Sequence, residues 1–417
     1  MVVTAAAGRR VSLMQIKVGR GPRGEGLAHL LGDGGNVLAY FIFGAGLVLA
    51  AASIGYLLVA IAGVARFRRS NALAAAPPLA VTILKPVCGA EPRLYECLKS
   101  FCTLDHASLQ VIFGVGDHED AAIPVVRRLI EEFPALDLSL VIDSAIHGTN
   151  LKVGNLINMY RSAKHEIVIV SDSDTEVARD CLKSVLAPFA DEAVGAVTCL
   201  YKAGPSRGLA SDLGALFVND WFLASAVVDA GMRDAAYCFG PVTAIRREAL
   251  AAMGGFGMLA FHLADDFMLG RMIAAAGYKV RLADYVPDIV VDETLSSLLR
   301  HELRWARTVR TVKPGEYFMS GVMEPLPLLL LSLLPFPHWG GWLALALVIG
   351  LRIILHFLVR RRFGITCPAR PWLLPLRECL CFFIWLASYR SCHVSWRERD
   401  FVIAPGGRLE PRAASGS

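Results

Sequence analysis

Charge is the first thing this chain has little of. Asp, Glu, Lys and Arg make up 19% of its 417 residues, 55% are hydrophobic, and the mean hydropathy is +0.49. A soluble chain carries about a quarter charged residues, so part of this one lies in lipid. Aromatic residues are also sparse, at 9%, and the apolar excess is Leu, Ala and Val. Membrane helices use that composition, and disordered or collagen-like chains lack it. No C-x-x-C pair occurs among the ten cysteines, which argues against zinc ribbons and thioredoxin-like redox sites. Cys97 with Cys102, and Cys379 with Cys381, read as small apolar residues in a reducing compartment. No Walker A motif is present, and no G-x-G-x-x-G lies at a strand-to-helix turn, which sets aside P-loop and dinucleotide enzymes. The absence of G-x-S-x-G does the same for serine hydrolases. The folded region also lacks the basic stripe of a nucleic-acid binder. Its net charge of +5 comes from 42 basic against 37 acidic residues, and eleven arginines face four acids from Gly350 onward. Such a local excess beside apolar stretches reads as contact with an anionic lipid bilayer, with no nucleic-acid partner.

The longest uncharged run, Val37 to Ala65, exceeds the about 20 helical residues that cross a bilayer. It lies too far from the N-terminus and is too long for a cleaved signal, so it reads as a retained anchor. Residues 1–36 before it are Gly-rich and unpatterned, a flexible tail. A second apolar region, 322–390, contains Leu328 to Leu334, Trp342 to Val359 and Trp372 to Tyr389. Prolines bracket the first piece, a kinked span or a re-entrant segment. The last carries Arg377 and Glu378, so it is either a span with an internal ion pair or an interfacial helix. Flanking charge predicts that one of the three does not cross. Residues 391–417 read as a basic tail on the membrane surface.

Between the apolar regions, residues 77–315 alternate short apolar runs with helical stretches, the α/β signature. Strands are expected at Ala80 to Leu84, Leu109 to Val115, Leu138 to Ile142, Ile167 to Val170 and Val194 to Cys199. Helices are expected around Arg93 to Phe101, Ala121 to Phe133, Val153 to Ala163 and Arg179 to Phe189. Ligands in such folds collect at the carboxyl edge of the strands. There the second strand runs into Asp117, and the fourth into Ser171-Asp172-Ser173-Asp174. Two carboxylates one residue apart can both face a hard cation, Mg²⁺ or Mn²⁺, whose oxygen shell a diphosphate completes; the bland alternative is a solvated turn. Asp265 and Asp266 open an amphipathic helix, where acids complement the macrodipole or one acts as a general base. His301-Glu302-Leu303-Arg304-Trp305 lies in a helix that also carries Arg300, Arg307 and Arg310. Arg307 and Arg310 read as a basic face lying on the membrane. Arg304 suits a diphosphate bidentately, and Trp305 offers an apolar wall.

These segments together resemble glycosyltransferase family 21, the ceramide glucosyltransferase family. The resemblance spans about residues 37 to 410 and rests on ILKPVCGAEP from Ile83, GVGDHED from Gly114 and LKVGNLIN from Leu151, followed by SDSD from Ser171, FHLADDFMLG from Phe261 and HELRW from His301. It implies a Rossmann-like GT-A domain with transmembrane helices at both ends, working as an inverting transferase in the bacterial cytoplasmic membrane with its catalytic domain in the cytosol. Within the family the motif combination is most similar to the hopanoid-biosynthesis branch, which implies transfer from UDP-N-acetylglucosamine to bacteriohopanetetrol. The alternatives are a ceramide glucosyltransferase using UDP-glucose and a processive polysaccharide synthase. By position, the resemblance implies that Asp117 contacts uridine and that Asp172 and Asp174 hold the cation and diphosphate. Lys152 and Asp265 would lie near the substrate, and Asp266 would be the catalytic base. Arg304 and Trp305 would close the leaving-group and acceptor side. His301 departs from the Gln or Arg of the family's motif, which implies a weaker or proton-dependent contact there.

Overall fold

The structure, a computed structural model, describes residues 33–67, 78–204, 207–232, 236–334, 337–396 and 399–411. Most of the expected flexible tail therefore lies outside the described residues. The first helix, α1 (Asp33–Arg66), covers the expected anchor. An α/β domain follows, built in the expected order from β1 (Val81–Pro86), α2 (Leu94–Cys102), β2 (Leu109–Val115), α3 (Ile123–Glu132), β3 (Asp137–Ile142), α4 (Leu151–Tyr160) and β4 (Ile167–Val170). These strands pair in parallel in the order β3-β2-β1-β4. Buried Val81, Ile83, Val111 and Phe113 pack one face against α2 and α3, while Leu84, Ile112 and Val168 pack the other against α4. Both faces are covered, which is why β1, β2 and β4 read as continuous apolar runs.

Beyond β4 the chain departs from simple alternation. A short β5 (Thr175–Glu176) leads to α5 (Cys181–Leu186), which starts two residues later than expected and tightens into a 3₁₀ turn. The main sheet is extended by β6 (Val194–Thr198) and, after β7 (Lys202–Ala203) and a helical excursion, by β8 (Thr243–Arg246). β8 inserts antiparallel between β4 and β6, and was not foreseen. The excursion is α6 (Leu209–Leu216), one π-helical stretch over Phe217–Phe222 and α7 (Leu223–Met232). Its apolar pattern is broken by Asp212 and Asp220, which are buried and paired with Arg370 and His356. After α8 (Arg247–Ala252) and α9 (Asp265–Ala275), β9 (Lys279–Leu282) closes the seven-stranded sheet beside β6. β10 (Asp288–Ile289) joins β5 and β7 in a small second sheet.

The C-terminal third begins with α10 (Leu295–Val312), capped by Thr294, whose side chain accepts from the Ser297 backbone N–H at 3.2 Å. It continues through α11 (Pro314–Met319), α12 (Leu326–Leu333), α13 (Trp339–Phe363) and α14 (Leu374–Ser388). At about 1.5 Å per residue, the eight residues of α12 fall far short of an ~30 Å hydrocarbon core. This helix is too short to cross by itself. Among the described residues, four stretches are long and apolar enough to span a membrane: 40–66, 209–232, 339–363 and 371–388. The second is mostly covered by protein and packs on α1.

Two expectations are overturned here. Arg377 and Glu378 do not form an internal pair. Arg377 grips Glu302 of α10 bidentately at 2.7 and 2.5 Å, and Glu378 pairs with Arg352 of α13 at 3.3 Å. The C-terminal segment is likewise not a tail: β11 (His393–Trp396), β12 (Arg399–Ala404) and β13 (Arg408–Pro411) form an antiparallel sheet. Nor are the arginines from Gly350 onward all turned to lipid, since Arg352, Arg370 and Arg377 hold acids, and Arg360 binds the Ile365 and Cys367 carbonyls.

Removing one member of a buried pair strands the other charge at a cost of about 3–5 kcal/mol. Arg377→Met is therefore expected to lower the melting temperature in detergent markedly. Adding Glu302→Gln removes the stranded charge and restores part of the loss, whereas two independent, additive losses would show that the pair does not join α10 to α14.

Candidate active site

The site lies at the carboxyl edge of β1 and β4, as the sheet topology dictates. The turn after β4 leaves Asp172 and Asp174 half-buried, and β5 follows at once, so their loop is held at both ends. Lys85, the fifth residue of β1, is fully buried beneath that loop and donates to the Ser171 hydroxyl at 3.2 Å and to the Asp172 carbonyl. Its ammonium also lies 4.0 Å from the centre of the Phe101 ring. Burial pushes Lys85 down to about 8, against the pull of the nearby acids. Asp174 moves the other way: burial, with Asp172 and Glu91 nearby, lifts its carboxyl to about 7.

Opposite this loop stands the start of α9. Asp265 is bound by the Lys152 ammonium at 3.3 Å, and Lys152 reaches Asp172 at 2.6 Å. Burial alone would lower the Lys152 pKa, but Asp172, Asp265 and Asp266 outweigh it and hold the ammonium above its ordinary value. Lys152 thus bridges the two acid motifs. Asp266 accepts from the Phe267 backbone N–H at 2.7 Å, and burial, then the charge of Asp265, lifts it to about 7. Asp117 is exposed and folded into its own turn, accepting from the Glu119 N–H at 3.0 Å. The neighbouring Asp120 accepts from the Gly89 N–H at 2.9 Å and so fastens the loop after β1 to the loop after β2.

Two groups at the site escaped the sequence reading. Asn150 caps α4 and is fully buried; its amide donates to the His262 carbonyl at 2.7 Å and to Asp265 at 3.3 Å. It looks like an ordinary helix cap in sequence, and only the fold reveals the second role. The other is Tyr237-Cys238-Phe239-Gly240. A Cβ at Gly240 would sit 2.7 Å from an Asp172 carboxylate oxygen and 3.5 Å from one of Asp266, so the missing side chain leaves open the space both acids face. Tyr237 lies against Phe267 and Phe239, and Phe239 against Phe222, each with ring centres 5.4 Å apart. Gly270 of α9 permits this, because a Cβ there would meet the Tyr237 backbone at 2.4 Å. Gly240→Ala is expected to turn Asp172 out of the shared space and slow turnover on the order of 10- to 100-fold, with the fold intact. Steady-state kinetics and a thermal melt on the same preparation check this, and unchanged kinetics would count against the shared space.

A cleft of about 290 Å³ passes between Lys152, Gly240, Thr243, Asp265, Asp266 and Leu269. Another void of about 320 Å³ lies among Asp212, Asp220, His356, Arg360 and Arg370. There Asp220 pairs with His356 and Asp212 with Arg370, whereas the first cleft brings Asp265, Asp266 and Lys152 together. Among the described residues, no three or more His, Cys, Asp or Glu side chains form a cage for a metal ion. Asp172 and Asp174 offer only two carboxylates, one of them bound by Lys152, so a cation held there would take most of its oxygens from a bound diphosphate or water.

The structure groups His301 and Trp305 together. Their rings lie 4.3 Å apart, Trp305 stands 6.0 Å from Phe217, and His301 pairs with Glu293 at 3.1 Å. Arg304 occupies the same helix, and its carbonyl accepts from Thr308 at 2.7 Å. The link to the acid side is Lys313, just past α10, which lies 4.4 Å from the Tyr237 ring centre and 5.5 Å from that of Phe267. Arg307 and Arg310 do not form a lipid-facing surface as expected. Arg307 donates to the His393 carbonyl, and Arg310 donates to the Ser391 carbonyl at 3.1 Å.

The chain is 25% identical over 348 residues to ceramide glucosyltransferase 3 of Caenorhabditis elegans, covering 79% of this chain and 74% of that one. Ceramide glucosyltransferase 1 of the same organism is 23% identical over 341 residues, covering 79% and 72%. Among solved structures, the mannosyltransferase PcManGT from Pyrobaculum calidifontis, in complex with GDP-Man and Mn²⁺, aligns with 21% identity and a TM-score of 0.49, covering 83% of this chain and 99% of that one. The model of glycosyl transferase family 21 matches residues 45–409. This chain, a glycosyltransferase with an α/β domain between apolar helices, belongs to glycosyl transferase family 21.

Proposed function

We propose that this protein transfers a hexose from a UDP-sugar to the hydroxyl of a membrane sphingolipid of the ceramide type, inverting the anomeric carbon. The single observation that carries the reaction is the opposition of two acid motifs across Gly240, with Asp172 on one side and Asp266 on the other. The acceptor rests on the ceramide glucosyltransferases to which the chain is similar over most of its length. They favour ceramide and UDP-glucose over the hopanoid polyol and UDP-N-acetylglucosamine that the motif combination alone implied.

In this reading Asp117 faces the uridine, and Asp172 with Asp174 holds a divalent cation on the diphosphate. The cation, when bound, offsets the charge that gathers on the departing diphosphate. Asp266 takes the proton of the acceptor hydroxyl as its oxygen bonds to the anomeric carbon. The sugar–phosphate C–O bond breaks, and its electron pair leaves with UDP. Asp265, held by Lys152 and Asn150, sets the position of its neighbour. Tyr237 and Phe239 give the acceptor an apolar wall beside the base. Arg304 and Trp305 serve the leaving-group and acceptor side, with His301 against the indole. The catalytic domain faces the cytosol, where nucleotide sugars are found.

The test is incubation of membranes containing the protein with UDP-glucose or UDP-N-acetylglucosamine, plus ceramide or bacteriohopanetetrol, and identification of products by mass. A ceramide hexoside supports the proposal. A product on the hopanoid alone moves the acceptor, a polymer revives a processive synthase, and absence of UDP release with any acceptor overturns the reading.

A further inference from the structure

The C-terminal sheet touches both halves of the site. On the acid side, the Leu263 N–H donates to the Gly407 carbonyl at 3.1 Å, and the Leu409 N–H donates to the Phe261 carbonyl at 2.7 Å. These two bonds pin β13 to the segment that runs directly into Asp265 and Asp266. Leu263 is buried among Val394, Phe401, Ile403 and Leu409, the entire small core of the sheet. The Thr149 hydroxyl donates to the Leu409 carbonyl at 3.0 Å, next to Asn150, the residue that holds Asp265. On the other side, Arg307 and Arg310 of α10 donate to the His393 and Ser391 carbonyls. Gly407 lies so close to Val312 that a Cβ on it would come within 2.9 Å of that side chain.

We infer that the sheet is a strut that fixes the separation between the Asp265–Asp266 segment and the helix carrying Arg304 and Trp305, with Thr149 and Leu409 as positioning residues. The inference rests on the proposed role of Asp266 as base. The sheet spans only residues 393–411, far below the about 40 residues a chain needs to fold alone, so it is ordered by docking and in turn orders what it docks on. Among the described residues its hydrogen bonds to the rest of the chain are with the acid segment, Thr149 and α10, and none reaches Asp117, Asp172 or Asp174. Loosening the sheet therefore moves the base relative to the leaving group while the diphosphate ligands stay in place. A misplacement of about 1 Å in such a site costs on the order of 100-fold in rate.

The experiment uses the full chain in detergent or nanodiscs, with turnover and UDP affinity measured on each preparation. Leu409→Ala is expected to lower kcat on the order of 10- to 100-fold, with UDP affinity within about twofold of the parent. Thr149→Val, which removes only the hydroxyl tie, lowers kcat less, and Thr149→Ser keeps the parent rate. The strut is overturned if the variants turn over like the parent, or if UDP affinity falls in proportion to kcat, as general loosening of the fold would produce. An equal loss with Thr149→Ser and Thr149→Val would also overturn it. If Asp266→Asn is as active as the parent while Leu409→Ala is slow, it is the assignment of the base that fails and not the mechanical coupling.

Discussion

Asp266→Asn is expected to keep UDP bound and to stop transfer. Asparagine has nearly the same shape, and its amide oxygen can still accept from the Phe267 N–H, so the turn into α9 is preserved. What it cannot do is take a proton. Loss of a positioned general base typically costs about 10²- to 10⁴-fold, so turnover falls to the background of the assay while UDP affinity stays near the parent value. The pH dependence sharpens the test. Burial, followed by the charge of Asp265, lifts Asp266 to about 7, and the base works only as the carboxylate. Activity in the parent therefore rises with pH through about 7 and levels off above it. The residual activity of Asp266→Asn loses the part of that limb that Asp266 contributes, while Asp174, also lifted to about 7, keeps its own. Lys152 opposes the lift, so Lys152→Met shifts the limb to higher pH. Near-parent turnover in Asp266→Asn, or a limb unchanged by that substitution, would assign the proton transfer to another group.

How much of this was legible in the sequence follows from which forces act locally. β2 and β4 fall on the residues expected for them, because a strand buried on both faces is an unbroken apolar run that needs no knowledge of its partners. The placement of Asp172 and Asp174 after β4, and of Asp265 and Asp266 at the start of α9, was readable for the same reason. What stayed hidden depends on contacts across long stretches of chain. α6 and α7 disguise an apolar helix with Asp212 and Asp220, whose cost is offset by Arg370 and His356 more than a hundred residues away. Arg377 looked like a charge misplaced in lipid, and its partner Glu302 sits within the very motif thought to serve the substrate. The final sheet is short and rich in arginine, so composition alone read it as a tail. Gly240 was invisible because its contribution is the absence of a side chain between two carboxylates that only the fold brings together.

Asp172→Ala is expected to remove the cation dependence of UDP binding. Two carboxylates leave most of a cation's coordination to the diphosphate, so cation and nucleotide bind as a unit and each strengthens the other. Loss of even a residue that supports a metal ligand commonly costs about 10- to 100-fold in metal affinity, and loss of a ligand itself costs at least as much. The substitution has a second effect of opposite sign. Lys152 loses its 2.6 Å partner and keeps only Asp265, which frees part of its charge for phosphate. UDP therefore still binds the variant weakly through Lys152, with the same affinity in Mn²⁺ and in EDTA, whereas the parent binds much more tightly with Mn²⁺. Titration calorimetry of the two proteins under both conditions separates these contributions. A variant that keeps the parent's difference between Mn²⁺ and EDTA would show that the cation is held elsewhere, and that Asp172 serves the site only by anchoring Lys152.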